Sequence, residues 1–237
     1  MCRLPSLMGM TRIAVLTGAG VSTDSGIPDY RGPQGEWTRD PKAQELFTYE
    51  RFMADEGTRR EFWRRYENHP AWRAEPNGAH RALAKLANVR VLTQNVDGLH
   101  QKAGTPARKV LELHGSMRRT VCTGCGATYA TEQILSGDKK CQQCRGVLKL
   151  GVTLFGEHLD AEVLGQARNI AAASEVFLAV GSSLQVEPAA SLCAVAVGAG
   201  ARLVIVNRDP TPYDDQAAEK ITEPIGTAVP RLCEELA

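Results

Sequence analysis

The amino-acid sequence predicts an α/β protein: a doubly wound parallel sheet that carries a small metal ribbon and a helical insertion. Three observations predict it. Four short apolar runs, at 13–17, 90–93, 176–180 and 202–206, are rich in β-branched residues and read as strands buried on both faces. Segments of helical periodicity alternate with them, as the crossovers of a parallel sheet require. Each run also ends in small or polar residues: Gly18-Ala19-Gly20, Gln94-Asn95-Val96-Asp97, Gly181-Ser182-Ser183 and Asn207-Arg208-Asp209. Ligands of open α/β sheets bind beyond the carboxyl ends of the strands, so four such tips predict one shared crevice.

The first run leads into Gly18-Ala19-Gly20-Val21-Ser22, then Ser25-Gly26-Ile27-Pro28-Asp29-Tyr30-Arg31. A strand that breaks into glycines and hydroxyl residues offers backbone N–H groups and room for a phosphate, and Arg31 adds a fixed charge suited to a diphosphate. The spacing departs from the dinucleotide fingerprint, because Thr23 stands where the third glycine belongs. Alone, this stretch says phosphate or nucleotide and no more. Between Gly32 and Pro76 no strong strand appears, and helical pieces are predicted near 47–53 and 59–66. In the second, Phe62, Trp63 and Tyr66 share one face. Such a stripe reads either as core packing or as the wall of a pocket beside the glycine loop.

Further along, Pro76-Asn77 opens a helix with His80, Leu83, Leu86 and Ala87 on one stripe. Asp160 caps another that runs through Val163, Leu164, Ala167 and Ile170. Pro188 sits in the first turn of a third, ended by Gly198 and Gly200. The stretch 221–237 reads as a loop and a closing helix. Of the five histidines, His69, His80 and His158 lack chemically suggestive neighbours, and His100 packs beneath the Asp97-Gly98-Leu99 loop. His114, in Leu113-His114-Gly115 at the end of a short extended run, is the candidate base, since imidazole titrates near neutral pH.

Seven cysteines are present, with Cys2, Cys193 and Cys233 scattered. The other four form Cys122-x2-Cys125 and, fifteen residues on, Cys141-x2-Cys144, the spacing of a four-cysteine zinc ribbon over 121–146. Four thiolates close the tetrahedron and leave no position for a substrate, so the zinc is expected to be structural. The 28 Lys and Arg balance 27 Asp and Glu, which argues against a nucleic-acid partner. No apolar run approaches a membrane span, and residues 1–12 lack a signal-peptide pattern, so a cytoplasmic protein is expected.

Taken together, these motifs resemble the sirtuins, NAD-dependent protein lysine deacylases. The resemblance rests on the glycine stretch through Arg31, Thr93-Gln94-Asn95-Val96-Asp97-Gly98-Leu99-His100, Leu113-His114-Gly115 and both cysteine pairs. Phe155-Gly156-Glu157, Gly181-Ser182-Ser183-Leu184 with Pro188-Ala189-Ala190, and Val206-Asn207 complete it. It implies an inverted Rossmann-like NAD-binding domain (1–35, 77–117 and 150–237), a helical insertion (36–76) and a zinc-ribbon module (118–149). It further implies that Gly18, Ala19, Gly20, Ser22 and Arg31 hold the diphosphate, and that Asp29 and Gln94 belong to the cofactor site. Gly181, Ser182 and Ser183 would support the adenosine side, Asn207 its ribose, and Ile225 the adenine. Asn95, catalytic together with His114, and Asp97 would form the nicotinamide pocket, with Ile27 and Tyr30 as walls.

The implied reaction consumes NAD as a co-substrate. An acyl-lysine oxygen attacks C1′ of the nicotinamide ribose, His114 acts as base on a ribose hydroxyl, and the products are free lysine and O-acyl-ADP-ribose. The acyl-lysine peptide would add as a strand between 152–157, including Thr153, Phe155, Gly156 and Glu157, and 184–186, including Val186. Two departures from the family stand out. Lys149-Leu150-Gly151 replaces the usual Arg-Pro-Asp lead, and Thr153 replaces an apolar residue. Where members selective for acidic acyl groups carry Tyr-x-x-Arg, an ungapped placement puts Trp63 and Tyr66; a shifted register brings in Arg64 or Arg65. The alternatives are a protein mono-ADP-ribosyltransferase and a non-catalytic, NAD- or ADP-ribose-binding zinc-ribbon protein.

Overall fold

The computed structural model describes residues 11–33 and 35–237, and the expectations placed on residues 1–10 lie outside them. The strands are β1 (Ile13–Thr17), β2 (Val89–Thr93), β3 (Val110–Glu112), β4 (Gly115–Cys122), β5 (Thr128–Ala130), β6 (Leu148–Val152), β7 (Val176–Val180), β8 (Arg202–Val206) and β9 (Glu219–Ile221). Six of them form one sheet in the order β3-β2-β1-β7-β8-β9, with every neighbouring pair parallel. That is the order of dinucleotide-binding sheets, and the topological switch point falls between β1 and β7. All five residues of β1 and of β7 are buried, which explains their unbroken apolar runs. Strand β9 escaped the sequence reading because Glu219-Lys220-Ile221 is short and half polar; it pairs only as an edge beside β8.

The helices are α1 (Glu36–Arg39), α2 (Tyr49–Ala54), α3 (Glu56–Glu67), α4 (Gly78–Lys85), α5 (Leu99–Lys102), α6 (Thr131–Leu135), α7 (Ala161–Ala173), α8 (Leu192–Gly198) and α9 (Ile225–Leu236). The predicted caps are in place. Asn77 accepts from the Ala79 and His80 amides and closes a capping box with His80, and Asp160 accepts from the Glu162 and Val163 amides. The third predicted start is corrected: α8 begins at Leu192, and Pro188 belongs to the preceding turn, where the Glu187 carboxylate accepts the Ser191 amide.

Side chains alternate across the sheet, so each face builds its own core. On one side Val15, Val91, Leu178 and Val204 meet Ala79 and Leu83 of α4 and Val229 and Leu232 of α9. On the other, Leu16, Leu92, Phe177 and Ile205 meet Ala167 and Ala171 of α7 and Leu192 and Ala196 of α8. A third core lies beyond the sheet. There Phe52, Phe62, Trp63 and Tyr66 of the insertion pack with Met117, Ile134, Leu148 and Leu150 of the ribbon and its strands. Two segments too small to bury themselves therefore share one interior. Among the described residues no helix is long and apolar enough to cross a membrane.

Candidate active site

The four strand tips do converge. Gly18, Ala19, Gly20, Gln94, Asn95, Gly181, Ser182, Ser183 and Asn207 all line one cleft of about 1180 Å³ at the carboxyl end of the sheet. The glycines make the convergence sterically possible. Gly181 sits at φ +60°, and a Cβ there would stand 2.4 Å from the Val21 nitrogen. A Cβ on Gly18 would lie 2.7 Å from the Gly181 carbonyl oxygen. The amides differ from the sequence expectation: Gly18 donates to the Val180 carbonyl at 3.0 Å and Gly20 to the Gly181 carbonyl at 2.9 Å. Those two N–H groups are not bare, because they stitch the tip of β1 to the tip of β7.

A polar network braces the same turn against β2. The Ser22 hydroxyl donates to Asp97 Oδ2 at 2.8 Å and accepts from Asn95 Nδ2 at 3.2 Å; the same amide group donates to the Gly18 carbonyl at 3.0 Å. Asp97 Oδ1 accepts the Leu99 amide at 2.9 Å, so both its oxygens are engaged. Below, Thr93, Thr17 and His100 form a buried chain, with 2.9 Å between the two hydroxyls and 2.9 Å from Thr17 Oγ1 to His100 Nε2. Burial, aided by neighbouring His80, drives His100 down to about 3.

His114 follows β3 and lines the cleft. Its Nδ1 lies 3.0 Å from the Gln94 carbonyl, which can only accept, so the contact fixes the proton on Nδ1 and leaves the lone pair on Nε2. Burial lowers its pKa below the ordinary imidazole value, the Gln94 contact opposing. The Gln94 side chain donates to Ser182 Oγ at 2.9 Å and so ties the base's anchor to the opposite tip. The geometry gives a neutral imidazole, oriented through one nitrogen and basic at the other.

The rest of the wall is aromatic. Tyr30 lies 4.6 Å from Trp37 centroid to centroid, and Trp37 lies 5.5 Å from Phe155. The Arg31 guanidinium sits 4.7 Å over the Trp37 ring. Burial and the charges of Glu36 and Asp97 push the Tyr30 phenol up to about 12, so it stays protonated. Trp37 and Phe47 line the cleft and were not among the expected residues, although Trp37 follows the glycine stretch closely. Thr153, Phe155, Gly156, Glu157, Gln185 and Val186 line the cleft as well.

Apart from this cleft, the sulfurs of Cys122, Cys125, Cys141 and Cys144 lie within 4.8 Å of one another. The pairs Cys122–Cys144 and Cys125–Cys141 stand 3.5 and 3.6 Å apart. Zinc–thiolate bonds of about 2.3 Å place tetrahedral sulfurs about 3.8 Å apart. The cluster therefore fits a structural zinc.

Residues 18–188 match the model of the Sir2 family. The chain belongs to the Sir2 family. It is 57% identical over 236 residues to NAD-dependent protein deacetylase 2 of Streptomyces coelicolor, covering 95% of this chain and 98% of that one. It is 44% identical to NAD-dependent protein deacetylase 1 of Pyrobaculum aerophilum, covering 93% and 88%. A solved Sir2 structure with a p53 peptide and NAD+ superimposes with a TM-score of 0.83 at 36% identity, covering 94% of this chain and 92% of that one.

Within this Sir2 chain, not every expected site residue lines the cleft. Ser22, Ile27, Asp97 and Ile225 are not among its lining residues. Ser22 and Asp97 bond to each other, Ile27 packs in the third core, and Ile225 packs at the edge of the α4–α9 core. Tyr66 lines the cleft, whereas Trp63 lines a separate depression against Lys139, Val147 and Leu148 of the ribbon. Neither neighbouring arginine fills Trp63's place: Arg64 pairs with Glu61, and Arg65 with Glu36 and Glu61.

Proposed function

We propose that this chain is an NAD-dependent protein lysine deacetylase that transfers the acyl group to ADP-ribose and releases nicotinamide. One observation carries the reading: a single cleft joins the switch-point crevice, an oriented neutral histidine and the 153–157 segment. NAD, when bound, supplies an electrophilic ribose carbon and the hydroxyl that receives the acyl group.

The rest is the work of this chain's own residues. Gly18, Ala19, Gly20 and Arg31 shape the diphosphate turn, Gly181, Ser182, Ser183 and Asn207 the adenosine side, and Gln94 and Asn95 the wall beside the nicotinamide end. Asp29 shapes the arginine's loop by accepting the Gly32 amide at 2.9 Å. Ser22 and Asp97 brace Asn95, and His114 Nε2 takes the hydroxyl proton. The aromatic wall of Tyr30, Trp37 and Phe155 excludes water from that transfer. Thr153, Phe155, Gly156, Glu157 and Val186 receive the peptide, and Tyr66 borders the acyl chain. Cytoplasmic residence belongs to the same reading and is supported by four clustered thiols that need a reducing compartment.

Mass spectrometry of an acetyl-lysine peptide incubated with NAD tests the assignment. O-acetyl-ADP-ribose, free nicotinamide and deacetylated peptide are the expected products. ADP-ribosylated protein in their place makes the chain a transferase, and NAD binding without turnover makes it a sensor.

A further inference from the structure

Lys149 lies in β6, just ahead of the segment 153–157 that borders the cleft. The fold buries it, leaving its side chain 10% exposed. Its Nζ donates to the Val152 carbonyl and, at 2.8 Å, to Glu157 Oε2. The same carboxylate oxygen accepts the Leu154 amide at 2.8 Å, and the Glu157 amide closes the turn on the Leu154 carbonyl at 3.0 Å. Gly156, at φ +90°, gives that turn its left-handed residue. The segment on either side is fixed as well. The Thr153 amide donates to the His114 carbonyl at 2.8 Å, and Phe155 exchanges backbone bonds with Phe47 and Tyr49 of the insertion at 2.8 and 2.9 Å.

A buried ammonium is costly, and an ion pair in this position is poor evidence of stabilisation. Its effect is geometric. The lysine holds the Glu157 carboxylate at the one point from which it reaches the Leu154 amide. Segment 153–157 is thereby held in a single conformation along the cleft. A segment that receives a peptide through the backbone groups these bonds leave over must hold them in fixed position, and one that has to be ordered first binds more weakly.

We propose that the Lys149–Glu157 pair is a clamp that positions segment 153–157 to receive the acyl-lysine peptide, with Lys149 a positioning residue for peptide and not for NAD. The proposal rests on the deacetylase reading, which supplies the peptide. The NAD side is built by contacts between the tips of β1, β2 and β7 that do not involve β6, so the two affinities should separate.

The test compares wild type with K149M, K149R and K149A. Binding of a fluorescein-labelled acetyl-lysine peptide is followed by anisotropy in the presence of ADP-ribose, ADP-ribose binding by calorimetry, and turnover by steady-state kinetics. K149M should weaken peptide binding and raise the peptide KM by about tenfold or more, with ADP-ribose affinity and kcat within about twofold. K149R, which keeps the charge, should recover most of that loss. Should K149M not fold, K149A, which leaves room for water beside the part-exposed Glu157 carboxylate, should fold and show the same loss. A folded K149M or K149A variant that binds peptide as wild type does overturns the clamp. So does a parallel fall in peptide and ADP-ribose affinity, which would mark general loosening. A wild-type chain that binds the peptide yet forms no O-acetyl-ADP-ribose overturns the deacetylase reading and leaves the clamp standing.

Discussion

Acidification should destabilise this fold through one buried histidine pair, by an amount the structure allows to be worked out. His100 is 1% exposed, its Nδ1 has no partner, and its ring centroid lies 4.9 Å from that of His80. Its folded pKa is driven down to about 3, against 6.5 for a free imidazole. A base whose folded pKa is depressed is neutral in both states above 6.5 and contributes nothing there. Below 6.5 the unfolded chain binds the proton and the folded chain does not, so stability falls at about 1.4 kcal/mol per pH unit until about pH 3. At pH 5 the deficit from His100 alone is about 2 kcal/mol, a large share of a typical domain's stability.

His80 adds to it in the same direction. It too is held below 6.5 by burial, and its Nδ1 accepts the Asn77 amide in the box that caps α4, which a protonated ring cannot do. Urea unfolding of wild type and H100Q at pH 7.5 and 5.0 measures the effect. Wild type should lose about 2 kcal/mol more than H100Q between the two pH values. Equal losses would refute the reasoning and move the acid sensitivity elsewhere.

H114A should keep ADP-ribose affinity while deacetylation falls about 10²–10⁴-fold, read from single-turnover kinetics; an unchanged rate removes His114 from proton transfer. Because burial also lowers the His114 pKa, the acid limb of kcat/KM should lie below pH 6.5, provided fluorescence shows the chain still folded. C141S should release zinc to a chromogenic chelator and lower Tm, and a metal-free variant with wild-type Tm would contradict a structural role. Acetyl-lysine should be preferred to succinyl-lysine in kcat/KM, since Arg64 and Arg65 are engaged by Glu61 and Glu36; a succinyl preference abolished by R65M would place that guanidinium in the acyl pocket.

Much of the site was legible because its signals are local. Caps at Asn77 and Asp160, paired Cys-x-x-Cys spacing and apolar runs ending in polar tips each depend on residues close in sequence, and each appears where expected. What the sequence did not show is tertiary. The ribbon and the insertion share a core because neither can bury itself, a fact about their sum rather than either composition. Trp63 and Tyr66 illustrate the limit of periodicity. Three residues apart on a helix, they point about 60° apart, close enough to read as one stripe. The edge of the cleft passes between them, so Tyr66 meets the cleft and Trp63 meets the ribbon.

The glycine turn shows the same limit at the centre of the site. Read from sequence, Gly18 and Gly20 suggest bare amides waiting for phosphate, yet both amides are committed to Val180 and Gly181. Their lack of side chains serves a different end, the approach of two strand tips that a methyl group would hold apart. That approach creates the crevice, and it obliges Gly181 to adopt φ +60°. Ser22 and Asp97 follow the same logic one layer back. The Ser22 hydroxyl and the Asp97 carboxylate are each other's partner beside the crevice, and through Ser22 the pair holds Asn95 on the cleft wall. Residue type in this turn is set by what lets the tips meet and stay oriented. Arg31, Asn95, Asn207 and His114 then line the cavity that this approach opens.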